Sequence, residues 1–324
     1  MTTQISIIGL GQIGTSIGLA LAKYPEKINR VGYDQELVTQ NESKKMGAVD
    51  AVKFNLHSAV ENTDLVLLCI PYDQVEEVLK NIGPDLRENC VIINFSYQKV
   101  TTQKWFEEHI PAGRHHIGLV PSINPALLSQ AGHGIEAANA DLFKDATIGI
   151  ASHGSSSSQA LELASDLVDL LGAHPIFLDP FEADGIELTA HILPQIVSAA
   201  LLNATVGQPG WRETRRFASI PYSQATTALG KDTLESLAQT LLTNPQGAVA
   251  VLNNVIGALV HIRASIENGD QKDLEKRLQL ALSDRENWQN ERSRAEWDNP
   301  QKKSEIPSSG SFFKRLLLGV RNKN

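Results

Sequence analysis

The tightest constraint on this chain sits near its start. Residues 4–9 (QISIIG) are a short, β-branched apolar run that breaks at Gly9-Leu10-Gly11-Gln12-Ile13-Gly14. Residues 13–23 then place Ile13, Ile17, Ala20 and Leu21 at helical spacing. In a G-x-G-x-x-G between a strand and a helix, the first glycine (Gly9) permits a tight turn. The second (Gly11) lets the backbone approach a diphosphate, and the third (Gly14) lets the helix pack close to the sheet. The amides of the helix's first turn lack helical partners and form an anion site. A second strand-like run ends in Asp34, twenty residues after Gly14. A carboxylate there accepts hydrogen bonds from both ribose hydroxyls and repels a 2′-phosphate, so the motif predicts NAD, with NADP disfavoured. Gly9, Gly11, Gln12, Ile13, Gly14 and Asp34 are the expected cofactor contacts.

Further apolar runs at Thr63–Ile70, Cys90–Asn94, Ala146–Ala151 and Pro175–Leu178 alternate with helical patterns, and Gly47 closes a polar helix after Asp34. This alternation predicts an α/β Rossmann-type domain over residues 1–178, a doubly wound parallel sheet with helices on both faces. Ligands in such folds lie beyond the carboxyl ends of the strands, which makes Ile70 and Pro71 a wall of the cofactor site. The loop Asn94–Lys99 falls near the nicotinamide. From Phe181 to about Asn290 the strand signals stop, and residues 179–298 read as an all-helical second domain for substrate and dimerisation. Within it Ile186–Val206 is apolar almost all round, the pattern of a buried or subunit-interface helix. Further helices are expected at 232–243, 246–268 and 271–290.

With 324 residues, 42% of them hydrophobic, the chain can bury about two domain cores. Two cysteines exclude a disulfide framework, and no His/Cys/carboxylate cluster has metal-ligand spacing. A net charge of −8 argues against nucleic acid as a partner. No unbroken apolar run reaches the roughly 18 residues of a membrane span, and Met-Thr-Thr-Gln leads directly into a strand without a signal peptide. A cytoplasmic protein is the expectation. Residues 299–324 stand apart: positions 301–324 carry six Lys/Arg and one Glu, against a net −13 for the rest. The reading is a basic, disordered tail. The alternative is docking onto a partner or an anionic surface through an amphipathic Ser311–Lys323 segment.

Several of these stretches together resemble the prephenate and arogenate dehydrogenases. They are the IIGLGQIGTSIGLAL start, the Gly32-Tyr33-Asp34 strand end, Gly47-Ala48-Val49-Asp50, the Asn94–Lys99 loop, and Asp184 with the helix ending HILPQIVSAAL. Gly210-Trp211-Arg212-Glu213-Thr214-Arg215-Arg216-Phe217-Ala218 completes the set. The resemblance spans roughly residues 4–290. It implies a homodimeric, NAD-dependent oxidoreductase acting on a small carboxylated substrate, a cyclohexadienol decarboxylated as it is oxidised on the way to tyrosine. It puts the carboxylate-binding arginine on Arg216, with Arg212 and Arg215 beside it.

The same register gives a divergent member at the catalytic positions. Tyr97 stands on the family's loop serine and Val120 on its catalytic histidine. Ile192 stands on a second histidine, with His191 on the preceding serine, and Ala183 replaces the histidine before Asp184. Three expected histidines are absent. Tyr97 and His191 are the replacement catalytic candidates, with His115 and His116 behind them, and Ser122 and Asn124 are polar substrate contacts in the altered Gly118–Asn124 turn. Two rival functions stay open: a same-fold dehydrogenase for another carboxylated substrate, and a non-catalytic NAD-binding or scaffolding protein.

Overall fold

A computed structural model describes residues 2–128, 134–154, 156–230 and 234–294. The basic tail and its proposed amphipathic segment lie outside the described residues.

Eight strands form one sheet in the order β3-β2-β1-β4-β5-β6-β7-β8. They are β1 (Thr3–Ile8), β2 (Ile28–Tyr33), β3 (Ala51–Val52), β4 (Leu65–Leu68), β5 (Val91–Asn94), β6 (His115–Pro121), β7 (Thr147–Ala151) and β8 (His174–Leu178). Side chains alternate across a strand, and the sequence uses both faces. Ile5, Ile7, Leu65, Leu67, Val91 and Ile93 pack with helices α1 (Gln12–Leu21) and α6 (Ser158–Leu170). Ile8, Val66, Leu68 and Ile92 pack on the other face with α3 (Leu56–Val60), α4 (Tyr72–Ile82) and α5 (Lys99–His109). The polar helix α2 (Leu37–Lys45) ends at Gly47, whose φ of +79° only glycine adopts without strain. Arg30 holds the turn after α2, with a fork to Asp50 (2.6 and 3.1 Å) and bonds to the Gly18 and Gly47 carbonyls.

The sheet is Rossmann-like but not wholly parallel. β6 continues the parallel set, whereas β7 runs antiparallel to it, with Val120 opposite Gly149. The reason is the connection: no crossover helix lies among the described residues between β6 and β7, so the chain re-enters from the edge it left. Much of the expected Gly118–Asn124 turn is therefore strand. His115 and His116 also lie on β6 and face opposite sides, His116 sharing a face with Gly118 and Val120.

From Pro180 the described chain is helical. Asp179 accepts a hydrogen bond from the Phe181 amide (2.8 Å) and Pro180 occupies the first turn, which together start α7 (Pro180–Glu187). α7 runs through a π-helical turn at Leu188–Ile192 into α8 (Leu193–Thr205). Then follow α9 (Trp211–Thr214), α10 (Ile220–Thr226), α11 (Leu234–Thr243), α12 (Pro245–Glu267) and α13 (Gln271–Arg294). The expected burial of Ile186–Val206 is only partial: Ile192 and Ser198 are buried, Val197 and Val206 exposed. Two helices, Pro180–Thr205 and Pro245–Glu267, are also long and apolar enough to cross a membrane by length and composition. An unbroken-run criterion misses them because isolated polar residues interrupt each.

Candidate active site

The glycine loop is built as its spacing requires. Gly9 has φ +92°, and a Cβ there would sit 2.8 Å from both the Cys69 carbonyl carbon and the Ile70 side chain. The β4–α4 turn with Ile70 and Pro71 is thus pressed against the loop. A Cβ on Gly14 would collide with the Gly9 carbonyl, so only glycine lets α1 approach its strand. A Cβ on Gly11, by contrast, would meet nothing within 4 Å, which leaves the loop's outer side open. Gly11 caps α1 without a side-chain bond, so the first-turn amides keep their donors for an anion. Asp34 ends β2 beside them: its carboxylate accepts from the Leu10 amide (2.7 Å) and the Glu36 amide (2.9 Å). Each oxygen keeps a further lone pair for a ribose hydroxyl. The Gln12 side-chain amide donates to the Ala137 carbonyl (3.3 Å), and Ile13 packs on the core. These features fit a dinucleotide.

The loop after β5 carries Tyr97, one of the two catalytic candidates. Asn94, fully buried, accepts from the Ser96 amide (3.0 Å) and hydroxyl (2.8 Å), which turns the chain back on itself. The Tyr97 ring then meets the His191 imidazole, centroids 6.2 Å apart and planes tilted by 55°. The two catalytic candidates, 94 positions apart in sequence, come together. His191 lies on the π-turn and is half-buried, whereas its neighbour Ile192 points into a small core with Leu188, Leu237 and Ala248. α11 closes over this edge: Ser236 accepts from the Tyr72 amide (3.1 Å), and the Gln98 side chain donates to the Thr240 carbonyl (3.1 Å).

Beneath Tyr97 lies a buried charged cluster that sequence reasoning missed. Lys99 Nζ donates to Glu187 (2.7 Å) and to the Ser96 carbonyl. Both charged side chains are almost wholly excluded from solvent, at 1% and 2% exposure. Asp184 accepts from the Lys99 amide (2.5 Å) and the Val100 amide (3.4 Å) at the start of α5. Burial pushes the Glu187 carboxyl up to about 7 against the pull of Lys99, and raises Asp184 against its amide donors. His116 hydrogen-bonds Gln103 (2.8 Å) and stacks on Phe106; burial, aided by His153 and Lys99, lowers it to about 3. It is a neutral core histidine at physiological pH. The sequence carries no signal for the pairing: Lys99 closes a polar loop, and Glu187, three residues after Asp184, lies on a separate helix.

The remaining candidates are placed elsewhere. The Ser122 hydroxyl donates to the Thr147 carbonyl (2.6 Å) and accepts from its amide (3.1 Å). Asn124 accepts from the Ala126 amide (2.9 Å) and donates to the Asp141 carbonyl (3.0 Å). Both tie the β6–β7 connection together, and Arg292 from α13 anchors it at the Ile123 carbonyl (2.6 Å). Arg212 and Arg216 lie exposed on α9 and just after it, and no ion pair holds either among the described residues. Val120 and Ala183 pack against each other in an apolar cluster with Ala151 and Leu178. Two positions that the register assigns to histidines are thus filled with mutually packed aliphatic groups.

Comparison with known proteins agrees with this architecture. Residues 17–177 match the nucleotide-binding domain of prephenate dehydrogenase. The chain is 26% identical over 270 residues to a cyclohexadienyl dehydrogenase of Zymomonas mobilis, covering 82% of this chain and 89% of that protein. It is 24% identical over 206 residues to a prephenate dehydrogenase of Bacillus subtilis, covering 63% and 54%. Among solved structures, the prephenate dehydrogenase of A. aeolicus in complex with hydroxyphenyl propionate and NAD+ shares its fold. The TM-score is 0.76 at 16% identity, over 89% of this chain and 98% of that one. The Synechocystis arogenate dehydrogenase gives a TM-score of 0.68 at 20% identity, over 88% and 100%. With a matching nucleotide-binding domain, relatives along most of its length and the same two-part fold, this chain belongs to the prephenate/arogenate dehydrogenase family of NAD-dependent oxidoreductases.

Proposed function

We propose that this chain oxidises a carboxylated cyclohexadienol, prephenate or arogenate, with loss of CO₂. The observation that carries the reading is the meeting of Tyr97 and His191 at the strand edge that also holds the glycine loop and Asp34. Bound NAD supplies the hydride acceptor. The ring hydroxyl must lose its proton as its carbon loses hydride, and His191 is the group placed to hold that proton. π-Turns gather at functional sites because the extra residue re-aims side chains, and here the turn directs His191 to Tyr97 while Ile192 goes to the core. Tyr97 orients the imidazole or the hydroxyl. α11 covers the edge and keeps water from it. Arg216, with Arg212 beside it, offers a planar fork to a substrate carboxylate.

We further infer a cytoplasmic homodimer. α12 exposes Val249, Ile256, Leu259 and Val260 in the single chain, and an apolar surface of this kind is ordinarily covered. A second copy supplies that cover without placing the sheet half in a membrane.

Kinetics of His191→Asn and Tyr97→Phe test the chemistry. A positioned acid–base group is worth about 10²–10⁴-fold, so kcat of His191→Asn falls by that order while NAD affinity holds. Unchanged kcat in both variants overturns the assignment.

A further inference from the structure

We propose that the Lys99–Glu187 ion pair is a positioning clamp that holds the Tyr97 turn against the π-turn carrying His191. The proposal rests on the reading of Tyr97 and His191 as the proton-handling pair.

Three residues of one helical run, at i, i+3 and i+7, grip one short turn. Asp184 takes the amides of Lys99 and Val100, Glu187 takes Lys99 Nζ, and His191 meets the Tyr97 ring. Contacts thus run in opposite order along the two segments, as in a clasp. The gripped turn also needs holding. Gln98 has φ +63° and ψ +64°, a left-handed conformation that costs a side-chain-bearing residue energy and persists only when its surroundings impose it. Gly118 completes the fit: a Cβ on it would lie 2.7 Å from Lys99 Cδ, so the strand is bare where the lysine stem crosses it.

Stability alone does not explain such a pair. Buried ion pairs are often no more stable than apolar residues of the same volume, whereas loss of one partner strands a charge. What the pair provides is geometry. Glu187 lies immediately before the π-turn and Lys99 two residues after Tyr97, so opening the pair releases both sides of the aromatic contact. The charged and titratable groups around Glu187 are Lys99 from α5 and Asp184 from its own helix. His153 after β7 acts on Asp184, and Lys99 acts on His116 of β6. With Glu187 pushed up to about 7 by burial, the pair is fully charged only above neutral pH.

Fluorine NMR of the full chain labelled with fluorotyrosine tests the clamp without relying on turnover, the Tyr97 line being assigned by its loss in Tyr97→Phe. Glu187→Gln should shift or broaden that line and leave NAD affinity unchanged. It should also lower kcat above neutral pH by about 10- to 100-fold, with KM little altered, the size of loss that a displacement of about 1 Å produces. The double variant Lys99→Met/Glu187→Leu removes both charges and gives a folded comparison if the single variant does not fold; it should show the same change at Tyr97. An unaltered Tyr97 line in a folded double variant overturns the clamp. Should Tyr97→Phe and His191→Asn leave kcat untouched while the Tyr97 line still moves in Glu187→Gln, the catalytic reading fails and the clamp survives as a structural device.

Discussion

Helices α4 and α12 are both long, regular and partly apolar, yet they end up in opposite situations. α4 buries Val75, Leu79 and Ile82 against the sheet. α12 leaves Val249, Ile256, Leu259 and Val260 in solvent and buries only Ala248 and Ser265. The nucleotide-binding half closes its two cores within one chain, whereas the helical half leaves an apolar face uncovered in the single chain. The halves therefore teach different things: packing against a sheet accounts for the apolar residues of the first, whereas the proposed second copy would account for those of the second.

The comparison breaks most visibly at the exposed face. Placing two charges on it, Ile256→Glu with Leu259→Glu, should convert a dimer to monomer in sedimentation, with the dimer constant weakened at least about 10³-fold, on the order of 4 kcal/mol. The sheet half should keep its NAD affinity. A double variant that stays dimeric would mean that α12 faces something else.

Next in size is the seam between the halves, where Glu187 and His116 oppose each other. Folded Glu187 holds its proton to about pH 7 and ordinarily loses it near 4.5, so the folded state carries the extra proton between those values. Its contribution to stability is present at low pH and is lost as pH rises through that window, roughly 3 kcal/mol in all. His116 works the other way. Folded, it stays neutral down to about 3, and unfolded it protonates near 6.5, so stability falls as pH drops between them. Urea unfolding across the overlap should show a shallow slope in the native chain. In Glu187→Gln it should show a steeper loss toward acid, and identical slopes would contradict the assignment.

Substrate and cofactor contacts give smaller effects. Arg216→Ala should raise KM for the carboxylated substrate about 10- to 50-fold, as expected for a lost charge-assisted pair, with NAD affinity intact. Asp34→Ala should cut the preference for NAD over NADP about tenfold in paired Kd measurements, the smallest change of the set.

What was legible in the sequence follows the same division. Gly9, Gly14 and Asp34 could be read because their roles are local: a turn, a close helix–strand approach and a strand end at fixed spacing. The strand at His115–Pro121 was harder to see, since a doubled histidine, a glycine and a terminal proline blur alternation and no helix follows to mark a crossover. The Lys99–Glu187 pair was invisible, because its members are 88 positions apart and meet only once α7 crosses the sheet beside α5. Tyr97 and His191 came from register against a family pattern, and only the fold shows that the two rings meet. The exposure of α12 was illegible for a related reason: apolar periodicity shows that a face must be covered and not by which chain.

The divergent site is proposed to oxidise its substrate despite the absent histidines. The most direct measurement is the rise of reduced-nicotinamide absorbance when the purified protein, shown to bind NAD, is given prephenate and, separately, arogenate. Steady turnover with NAD on at least one of them, slower with NADP, is the expected result. Absence of turnover on both, in a protein that binds NAD, would contradict it.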